Sequence, residues 1–252
     1  MPVAILNAID SDTPDVQMSS AWYASRFENE TGKWFLEVQE RAVLNMISEW
    51  PGASVLEVGG GHGQLTGGLT RSGYRVTVLG SRPICAELIK EYVQSEKCRF
   101  EIGNVNKLPY ADKSFDLVTS IRLMPHAQDW KSFIAELARV ARKAVVIDFA
   151  VLRSVNCLAE RLFWLKRKIE KNTTGFVIYD EREVLEQVES VGLVLKRRFP
   201  QYFIPVSFHR LLERAGISKK MESFFRTVGL TNHFGSPVIA CFVPRDGGNR
   251  NP

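Results

Sequence analysis

Cysteine is scarce in this sequence, and its few copies stand far apart. Cys85, Cys98, Cys157 and Cys241 are spread through 252 residues and include no C-x-x-C pair. Zinc clusters and disulfide frameworks need closely or regularly spaced cysteines, so the sequence predicts neither a metal centre nor a disulfide scaffold. Isolated cysteines are typical of a reducing compartment, where a buried thiol packs as a small apolar side chain.

The sequence also lacks long apolar runs. No segment reaches the ~18 uninterrupted apolar residues that a membrane-spanning helix needs. The first residues, MPVAILNAIDSDTPD, lack the basic start and apolar core of a secretory signal peptide. We therefore expect a cytoplasmic protein. The net charge of +5 and the isoelectric point near 9.0 indicate either attraction to anionic surfaces and substrates or an ordinary solvated basic surface.

Two common nucleotide-binding motifs are missing as well. The dinucleotide fingerprint G-x-G-x-x-G fails, because its last position falls on Gln64 when counted from Gly59 and on Thr66 when counted from Gly61. No GK[ST] follows the glycines, so a P-loop is excluded too. A nucleotide-dependent oxidoreductase is therefore only a third hypothesis.

Strand-like and helix-like patterns alternate along most of the chain. Predicted strands cover 54–58, 74–79, 98–102, 115–121, 144–152, 193–203 and 236–244, and predicted helices cover 33–50, a segment from about 64, 82–94, 129–143 and 179–192. This order predicts an α/β, doubly wound, mostly parallel sheet with helices on both faces. Such sheets bind ligands at the carboxyl ends of their strands, near the switch point beside the first strand.

A glycine-rich stretch, VLEVGGGHGQLTGGL at 55–69, lies at that point. It spells E-x-G-x-G-x-G with Glu57, Gly59, Gly61 and Gly63. Glycines allow a sharp turn and a close approach of the backbone to a ligand. The N-terminus of the helix that follows favours binding of a ligand carboxylate. A purely structural strand–turn–helix connection is the alternative.

This motif resembles the first motif of class I S-adenosylmethionine-dependent methyltransferases. FDLVTSIRLMPHAQDWKSFIAELARVARKAVVIDFA is similar to the fourth-strand region of their type 11-like group, and GNVNKLPYADKSFDLV resembles its third loop. The resemblance covers residues 33–150 and continues more weakly to 244. It implies a Rossmann-like sheet of seven strands, whose last two strands, at about 193–200 and 237–243, form an antiparallel hairpin at one edge.

The resemblance implies S-adenosylmethionine as the cofactor. Glu57 and backbone carbonyls would satisfy its ammonium group, directly or through water, while the helix start favours its carboxylate. The cofactor-binding residues implied are Glu57, Gly59, Gly60, Gly61, Gly63, Gly80, Ser81, Arg82, Asn104, Val105, Ile121 and Arg122.

Two positions depart from the family pattern. Gly80 stands where the family has an acid that binds both ribose hydroxyls, a hydrogen bond worth about 1.5–3 kcal/mol or about 10- to 100-fold in affinity. Ser81, Arg82 or a water can replace it in part. Asn104 stands for an Asp, and its amide oxygen can still accept from adenine. The rival hypothesis is a non-catalytic, methyltransferase-like binding or assembly protein with weakened cofactor binding.

Candidates for chemistry are few, because methyl transfer needs mainly alignment of the acceptor and a base only for a protonated one. His126, after the fourth strand, is the candidate base, with a packing role as the alternative. His62 is expected to contact cofactor or solvent. Arg122 either binds an acidic substrate group or forms a surface ion pair.

The expected organisation is an N-terminal arm or lid at 1–32, a methyltransferase domain at 33–244 and a disordered tail at 245–252. Residues 1–20 read as a loose arm, and Trp22, Tyr23 and Trp34 either cover the site or pack. Substrate-cap insertions at about 153–180 and 204–233, together with residues 1–34, would shape the acceptor pocket. The basic amphipathic stretch at 153–171 predicts either peripheral membrane or anionic lipid contact, or simple packing on the core.

Two acceptor-specific motifs are absent. [DN]-P-P-[YFW] does not follow the fourth strand, where SIRL stands, and no Pro-Cys nucleophile pair occurs. These absences argue against exocyclic base amines and pyrimidine C5, so no nucleic-acid partner is expected. The expected acceptor is O, N or C of a small-molecule or lipid-linked metabolite.

Overall fold

Seven strands form the centre of the computed structural model, which describes Thr13 and residues 15–127, 129–154 and 177–245. The strands are β1 (Ser54–Val58), β2 (Arg75–Gly80), β3 (Cys98–Ile102), β4 (Phe115–Ser120), β5 (Ala141–Phe149), β6 (Leu193–Pro200) and β7 (Val238–Pro244). They make one sheet in the order β3-β2-β1-β4-β5-β7-β6.

The sheet is mostly parallel. Strands β1 to β5 pair in parallel, whereas β7 is antiparallel to both β5 and β6. The predicted doubly wound sheet with an antiparallel hairpin at one edge is therefore confirmed. Because β1 lies between β2 and β4, the chain leaves its carboxyl end at the switch point, where such sheets bind ligands.

Ten helices flank the sheet in the part of the chain that the structure describes. They are α1 (Asp15–Met18), α2 (Ala21–Ser25), α3 (Glu30–Ile47), α4 (Thr66–Arg71), α5 (Lys90–Gln94), α6 (Trp130–Val140), α7 (Glu181–Ser190), α8 (Val206–Leu212), α9 (Ala215–Thr227) and α10 (Leu230–Phe234). Tight 3-10 turns cover Gly60–His62, Pro83–Ile89 and Met124–His126.

The core lies on both faces of the sheet. Leu56 and Val58 of β1 belong to the cluster that includes buried residues of α6 and α7, whereas Val55 belongs to the cluster that includes residues of α3 and α4. Successive strand side chains point to opposite faces, so a strand that is apolar on both faces must be covered on both.

Two elements differ from the sequence prediction. The predicted helix at 82–94 is a 3-10 turn followed by the short α5. Strand β5 begins at Ala141, where the sequence predicts helix as far as residue 143. Arg142 and Lys143 each place a side-chain nitrogen 3.1 Å from Oδ1 of Asp116, at the start of β4. These ion pairs accompany the extended backbone, which overrides helix propensity.

The N-terminal segment is helical at Asp15–Met18, so the predicted loose arm is wrong over that part. Asp15 and Met18 of α1 are buried. Helix α3 begins at Glu30 because the Asn29 side chain caps it, accepting from Gly32 N at 2.7 Å. The boundary expected at residue 32 therefore falls inside a helix.

Some expectations concern residues that are not described. The basic stretch at 153–171 and the tail at 245–252 lie almost wholly outside the described ranges. Within those ranges, no helix combines the length and apolar character needed to cross a membrane. The same residues hold no group of three or more acid, histidine or cysteine side chains suited to a metal ion.

Arg139 of α6 fixes the loop between β3 and β4. Its guanidinium donates to the carbonyl oxygens of Leu108 at 3.0 Å and Tyr110 at 2.7 Å. It also pairs with Asp112 and Glu136, each at 2.9 Å. Arg139 thus binds three residues of the loop and one residue of its own helix, α6.

We expect Arg139→Ala to lower the free energy of unfolding by about 1–3 kcal/mol, because two backbone carbonyls lose their donor. Urea unfolding followed by circular dichroism measures the change. Arg182→Ala is the matched control, since that side chain is 85% exposed and pairs with neighbouring Asp180. Equal losses in the two variants would contradict the role of Arg139.

Candidate functional site

The glycine-rich stretch forms a tight turn after β1. Gly59 and Gly63 have φ angles of 71° and 72°, in the left-handed region that glycine adopts readily. Gly59 N donates to Leu79 O at 2.8 Å, and Gly63 N donates to Gly60 O at 2.9 Å. The spacing of these two glycines is therefore required by the turn itself.

The other two glycines allow close packing behind the turn. A Cβ on Gly60 would lie 2.3 Å from Cδ of Glu57, and a Cβ on Gly61 would lie 2.2 Å from the carbonyl oxygen of Cys85. Protein groups thus occupy the space that a side chain would need. The role of these glycines toward a ligand stays a prediction.

Glu57 places a buried carboxyl group beneath the turn. Its Oε2 accepts from Thr66 Oγ1 at 2.7 Å, while Oε1 has no hydrogen-bond partner in the described part of the chain. Burial raises the pKa of this carboxyl to about 8. A buried acid with one open oxygen fits a cationic ligand group, as the family resemblance requires of this position.

His62 has a structural role in the turn. Its Nε2 lies 3.3 Å from Ile121 O, and its Nδ1 lies 3.2 Å from Gln64 N. Burial, with a smaller contribution from Arg122, lowers the pKa to about 3. The ring is therefore neutral, accepts from Gln64 N and donates to Ile121 O, which ties the turn to the end of β4. The expected contact with cofactor or solvent is not what the geometry shows.

The end of β2 has no room for a side chain at position 80. A Cβ on Gly80 would lie 2.8 Å from the Cβ of Cys85 and 2.9 Å from the ring of Phe100. Glycine at this position is therefore built into the packing of the strand end. An acid placed there, as in the family pattern, would displace both neighbours.

A carboxylate from elsewhere in the chain lies beside Gly80. Asp15 of α1 accepts from Ser81 N at 2.8 Å and from Ser81 Oγ, and Cys85 Sγ lies 3.3 Å from Asp15 Oδ2. Asp15 is fully buried. Ser19 follows α1 and covers the turn, because a Cβ on Gly61 would lie 2.6 Å from its Oγ. Sequence reasoning missed this acid, since 66 residues separate it from Ser81.

The loop after β3 uses its polar side chain internally. Oδ1 of Asn104 accepts from Asn106 N at 2.8 Å and from Lys107 N at 3.1 Å. The amide oxygen expected to meet adenine therefore closes its own loop. Val105 is buried, whereas Arg82 precedes the next turn with an exposed side chain.

Arg122 follows β4 in a strained backbone conformation, with φ of 67°. Its N–H donates to Oδ1 of buried Asp148, and burial raises the pKa of that carboxyl to about 6. Its guanidinium Cζ lies 4.2 Å from the centroid of the Phe27 ring. Arg122 therefore faces the N-terminal segment, and the described residues show no surface ion pair for it.

Three further candidates are His126, Trp22 and Trp34, and packing accounts only for Trp34. His126 is half-buried in the turn Met124–His126, and burial lowers its pKa, so it is neutral at pH 7 and can accept a proton. Trp22 is 65% exposed and stays a candidate cover for the site. Trp34 is buried against Tyr202, with ring centroids 5.3 Å apart, so packing accounts for it.

His209 is fully buried, and its contacts agree with the absence of any predicted functional role for it. His209 Nδ1 lies 2.9 Å from Ser218 Oγ, and its Nε2 lies 3.0 Å from Glu222 Oε1. The carboxylate of Glu222 also accepts from the backbone nitrogens of Phe203 and Ile204. A nucleophile must reach its substrate, and Ser218 is fully buried, so this network holds the segment around α8 and α9 together.

Comparisons with known proteins agree with the fold and the position of the turn. Residues 56–147 match a family described as a methyltransferase domain. Norajmaline N-methyltransferase of Rauvolfia serpentina is 36% identical over 91 residues, which are 34% of this chain and 31% of that protein. Malonyl-acyl-carrier-protein O-methyltransferase of Serratia marcescens is 29% identical over 141 residues, 56% of this chain and 54% of that protein.

Among solved structures, magnesium protoporphyrin IX methyltransferase of Synechocystis PCC 6803 with bound SAH has a TM-score of 0.65 at 14% identity, covering 91% of this chain and 97% of that chain. That likeness shows the fold alone. The matched stretches span about a third to about a half of the curated relatives. The sequence match and the fold agree with the resemblance to class I S-adenosylmethionine-dependent methyltransferases.

Gly80→Asp tests the packing at the end of β2. We expect it to lower the free energy of unfolding by about 1–3 kcal/mol, because the new side chain meets Cys85 and Phe100. Thermal and urea unfolding measure the loss. Gly216→Asp is the matched control, because nothing lies within 4 Å of a Cβ at that position in the first turn of α9. A Gly80→Asp variant as stable as the control would refute the crowding.

Proposed function

We propose that the protein is an S-adenosylmethionine-dependent methyltransferase that acts on a small-molecule or lipid-linked metabolite. The observation that carries this proposal is the buried Oε1 of Glu57, which has no hydrogen-bond partner among the described residues. It lies beneath the glycine turn at the switch point. The match of residues 56–147 to a methyltransferase domain supports the same activity.

Glu57 is the proposed partner of the cofactor's ammonium group. A cation beside a buried carboxyl compensates the cost of ionising it, which the raised pKa expresses. The turn from Gly59 to Gly63 brings the backbone to the same place. The cofactor supplies a methyl group already activated on its sulfonium, so the chain has to bind, orient and exclude water.

Asp15 and Ser81 are the proposed partners of the ribose hydroxyls. A carboxylate accepts about four hydrogen bonds, and the described residues supply three donors, namely Ser81 N, Ser81 Oγ and Cys85 Sγ. The Ser81 hydroxyl donates to Asp15 and keeps its own lone pairs for a ribose hydroxyl. In this proposal, Asp15 of α1 takes the role of the acid that the family pattern has at position 80.

His126 is the proposed base for an acceptor that carries a proton. Its neutral ring follows β4 at the same edge of the sheet as the glycine turn. An acceptor that is already ionised needs no base, so the His126 role depends on acceptor chemistry.

A non-catalytic binding or assembly protein is the second candidate function. It is favoured by the way that Ser19 and the Cys85 carbonyl already crowd Gly61, and by the internal hydrogen bonds of Asn104. A shared fold does not by itself decide between these functions.

Titration calorimetry with S-adenosylhomocysteine tests the cofactor site. We expect Asp15→Ala to weaken binding about 10- to 100-fold, because a charge-assisted hydrogen bond to the ligand is lost. Glu28→Ala, an exposed acid of the same segment, is the control and should bind as the wild type. No wild-type binding at millimolar ligand would favour the non-catalytic candidate, and unchanged affinity in Asp15→Ala would refute the ribose assignment.

Binding should also release a proton through Glu57. Free Glu57, with a pKa of about 8, is mostly protonated at pH 7, and a neighbouring ammonium lowers that pKa. Affinity should therefore rise as pH increases toward about 8 and then level off. Binding enthalpies in phosphate and Tris buffers, which differ in ionisation enthalpy, measure the release.

Glu57→Gln is the matched variant for this measurement. It keeps the shape of the side chain and has no proton to lose, so the difference between the two buffers should shrink by the Glu57 contribution. Equal proton release in the wild type and Glu57→Gln would show that Glu57 does not meet the ammonium.

A further inference from the structure

Three arginines from distant parts of the chain converge on the rings of Tyr23 and Phe27. Arg122 Cζ lies 4.2 Å and Arg210 Cζ lies 5.2 Å from the Phe27 centroid. Arg26 Cζ lies 5.3 Å from the Tyr23 centroid, which is 5.7 Å from that of Phe27. We call Arg26, Arg122 and Arg210 the arginine cluster.

The arginine cluster forms no ion pair, and only part of its possible hydrogen bonds, with the residues that the structure describes. Arg122 Nη1 and Arg210 Nε are buried atoms without a hydrogen-bond partner among the described residues. None of the ion pairs between described residues includes a member of the cluster. Asp148 attracts Arg122, but its hydrogen bonds go to the backbone N–H of Arg122 and to Gln39 Nε2. The guanidinium groups therefore keep free donors.

The three charges crowd one another. Burial, followed by the charges of Arg26 and Arg122, lowers the pKa of Arg210 to about 10. Arg210 still carries its charge at pH 7, so the repulsion between the guanidinium groups has to be tolerated. Guanidinium groups with free N–H donors bind carboxylate and phosphate in paired, charge-assisted hydrogen bonds, and a bound anion would relieve the repulsion.

The backbone of Arg122 points to the same conclusion. A non-glycine residue with φ of 67° has a strained backbone and persists only where the surroundings enforce it. Here the N–H of Arg122 is held by the carboxylate of buried Asp148. The strained conformation fixes the start of a side chain whose Nη1 atom has no hydrogen-bond partner among the described residues.

The cluster adjoins the glycine turn on the side expected to receive the acceptor. Arg122 follows Ile121, whose carbonyl oxygen holds His62 of the turn. Arg26 comes from the N-terminal segment and Arg210 from α8, the two described segments that the sequence assigns to the acceptor pocket. The cluster thus joins the candidate cofactor site to those segments.

We propose that the arginine cluster binds an anionic group, a carboxylate or a phosphate, carried by the methyl acceptor. The assignment to the acceptor rests on the proposed function, whereas the anion site itself does not. A site of three arginines selects acidic metabolites over neutral ones of the same shape, since a neutral group leaves the buried donors unpaired.

Inorganic phosphate is the probe for the site. Calorimetry at constant ionic strength, adjusted with sodium chloride, should show millimolar binding to the wild type, weakened at least about 10-fold in Arg122→Met and Arg210→Met. Methionine keeps the apolar stem against Phe27 and removes the charge. Arg182→Met, on an exposed arginine of α7, is the control and should bind phosphate as the wild type.

The melting temperature without phosphate separates a binding role from a structural one. Removing a crowded, unpaired charge should leave the melting temperature of Arg122→Met and Arg210→Met at or above that of the wild type. Phosphate should then raise the melting temperature of the wild type and of Arg182→Met only. A lower melting temperature in both cluster variants, with phosphate binding retained, would overturn the proposal in favour of a structural role.

S-adenosylhomocysteine, which carries a carboxylate of its own, separates the two sources of the anion. We expect Arg210→Met, at a residue outside the implied cofactor-binding set, to bind it as the wild type does; a loss there equal to the loss of phosphate would assign the cluster to the cofactor and overturn the acceptor assignment. A wild type that binds S-adenosylhomocysteine but not phosphate would refute this proposal alone. A wild type that binds phosphate but not S-adenosylhomocysteine would refute the proposed function and leave the anion site standing.

Discussion

The hydrogen bonds between Asp15 and Ser81 join the N-terminal helix to the end of β2, and the account of the site depends on them. A buried carboxylate is costly unless donors surround it, and Ser81 supplies both a backbone and a hydroxyl donor. Packing around Gly80 excludes a side chain at the strand end itself. In the proposed cofactor site the acid therefore comes from α1, and the proposal includes the segment before the first strand.

Much of the fold could be predicted because it follows from local patterns. Alternating strands and helices predict a parallel sheet, and apolar strands predict cover on both faces. The start of β5 could not be predicted, because Arg142 and Lys143 bind Asp116 across the sheet. The turn after Pro83 also differs, since a helical apolar pattern does not separate 3-10 from α-helical backbone.

Only part of the candidate site has a local signal. The glycine spacing predicted the turn, and Glu57 stands next to it. Asp15 and the arginine cluster arise from contacts between segments far apart in the chain, for which no periodicity or short motif exists. The structure also shows that the turn's glycines serve the protein's own packing. The loop sequence alone therefore cannot tell ligand contact from internal contact.

Together, the two proposals place acidic groups and basic groups on different sides of the binding site at the carboxyl edge of the sheet. The carboxyl groups of Glu57 and Asp15 lie where a cationic, hydroxyl-bearing cofactor would be held, and the guanidinium groups of the arginine cluster lie toward the acceptor side. Opposite charges at neighbouring subsites orient two ligands without any group that must react. Such an arrangement suits a reaction in which alignment contributes most of the rate.

A crystal structure of the protein with S-adenosylhomocysteine tests the central claim most directly. The account predicts that α1 stays docked and that Asp15 or the Ser81 hydroxyl it orients lies within about 2.6–3.2 Å of a ribose hydroxyl. A structure in which α1 has left the strand end, with the ribose held by other groups, would contradict it.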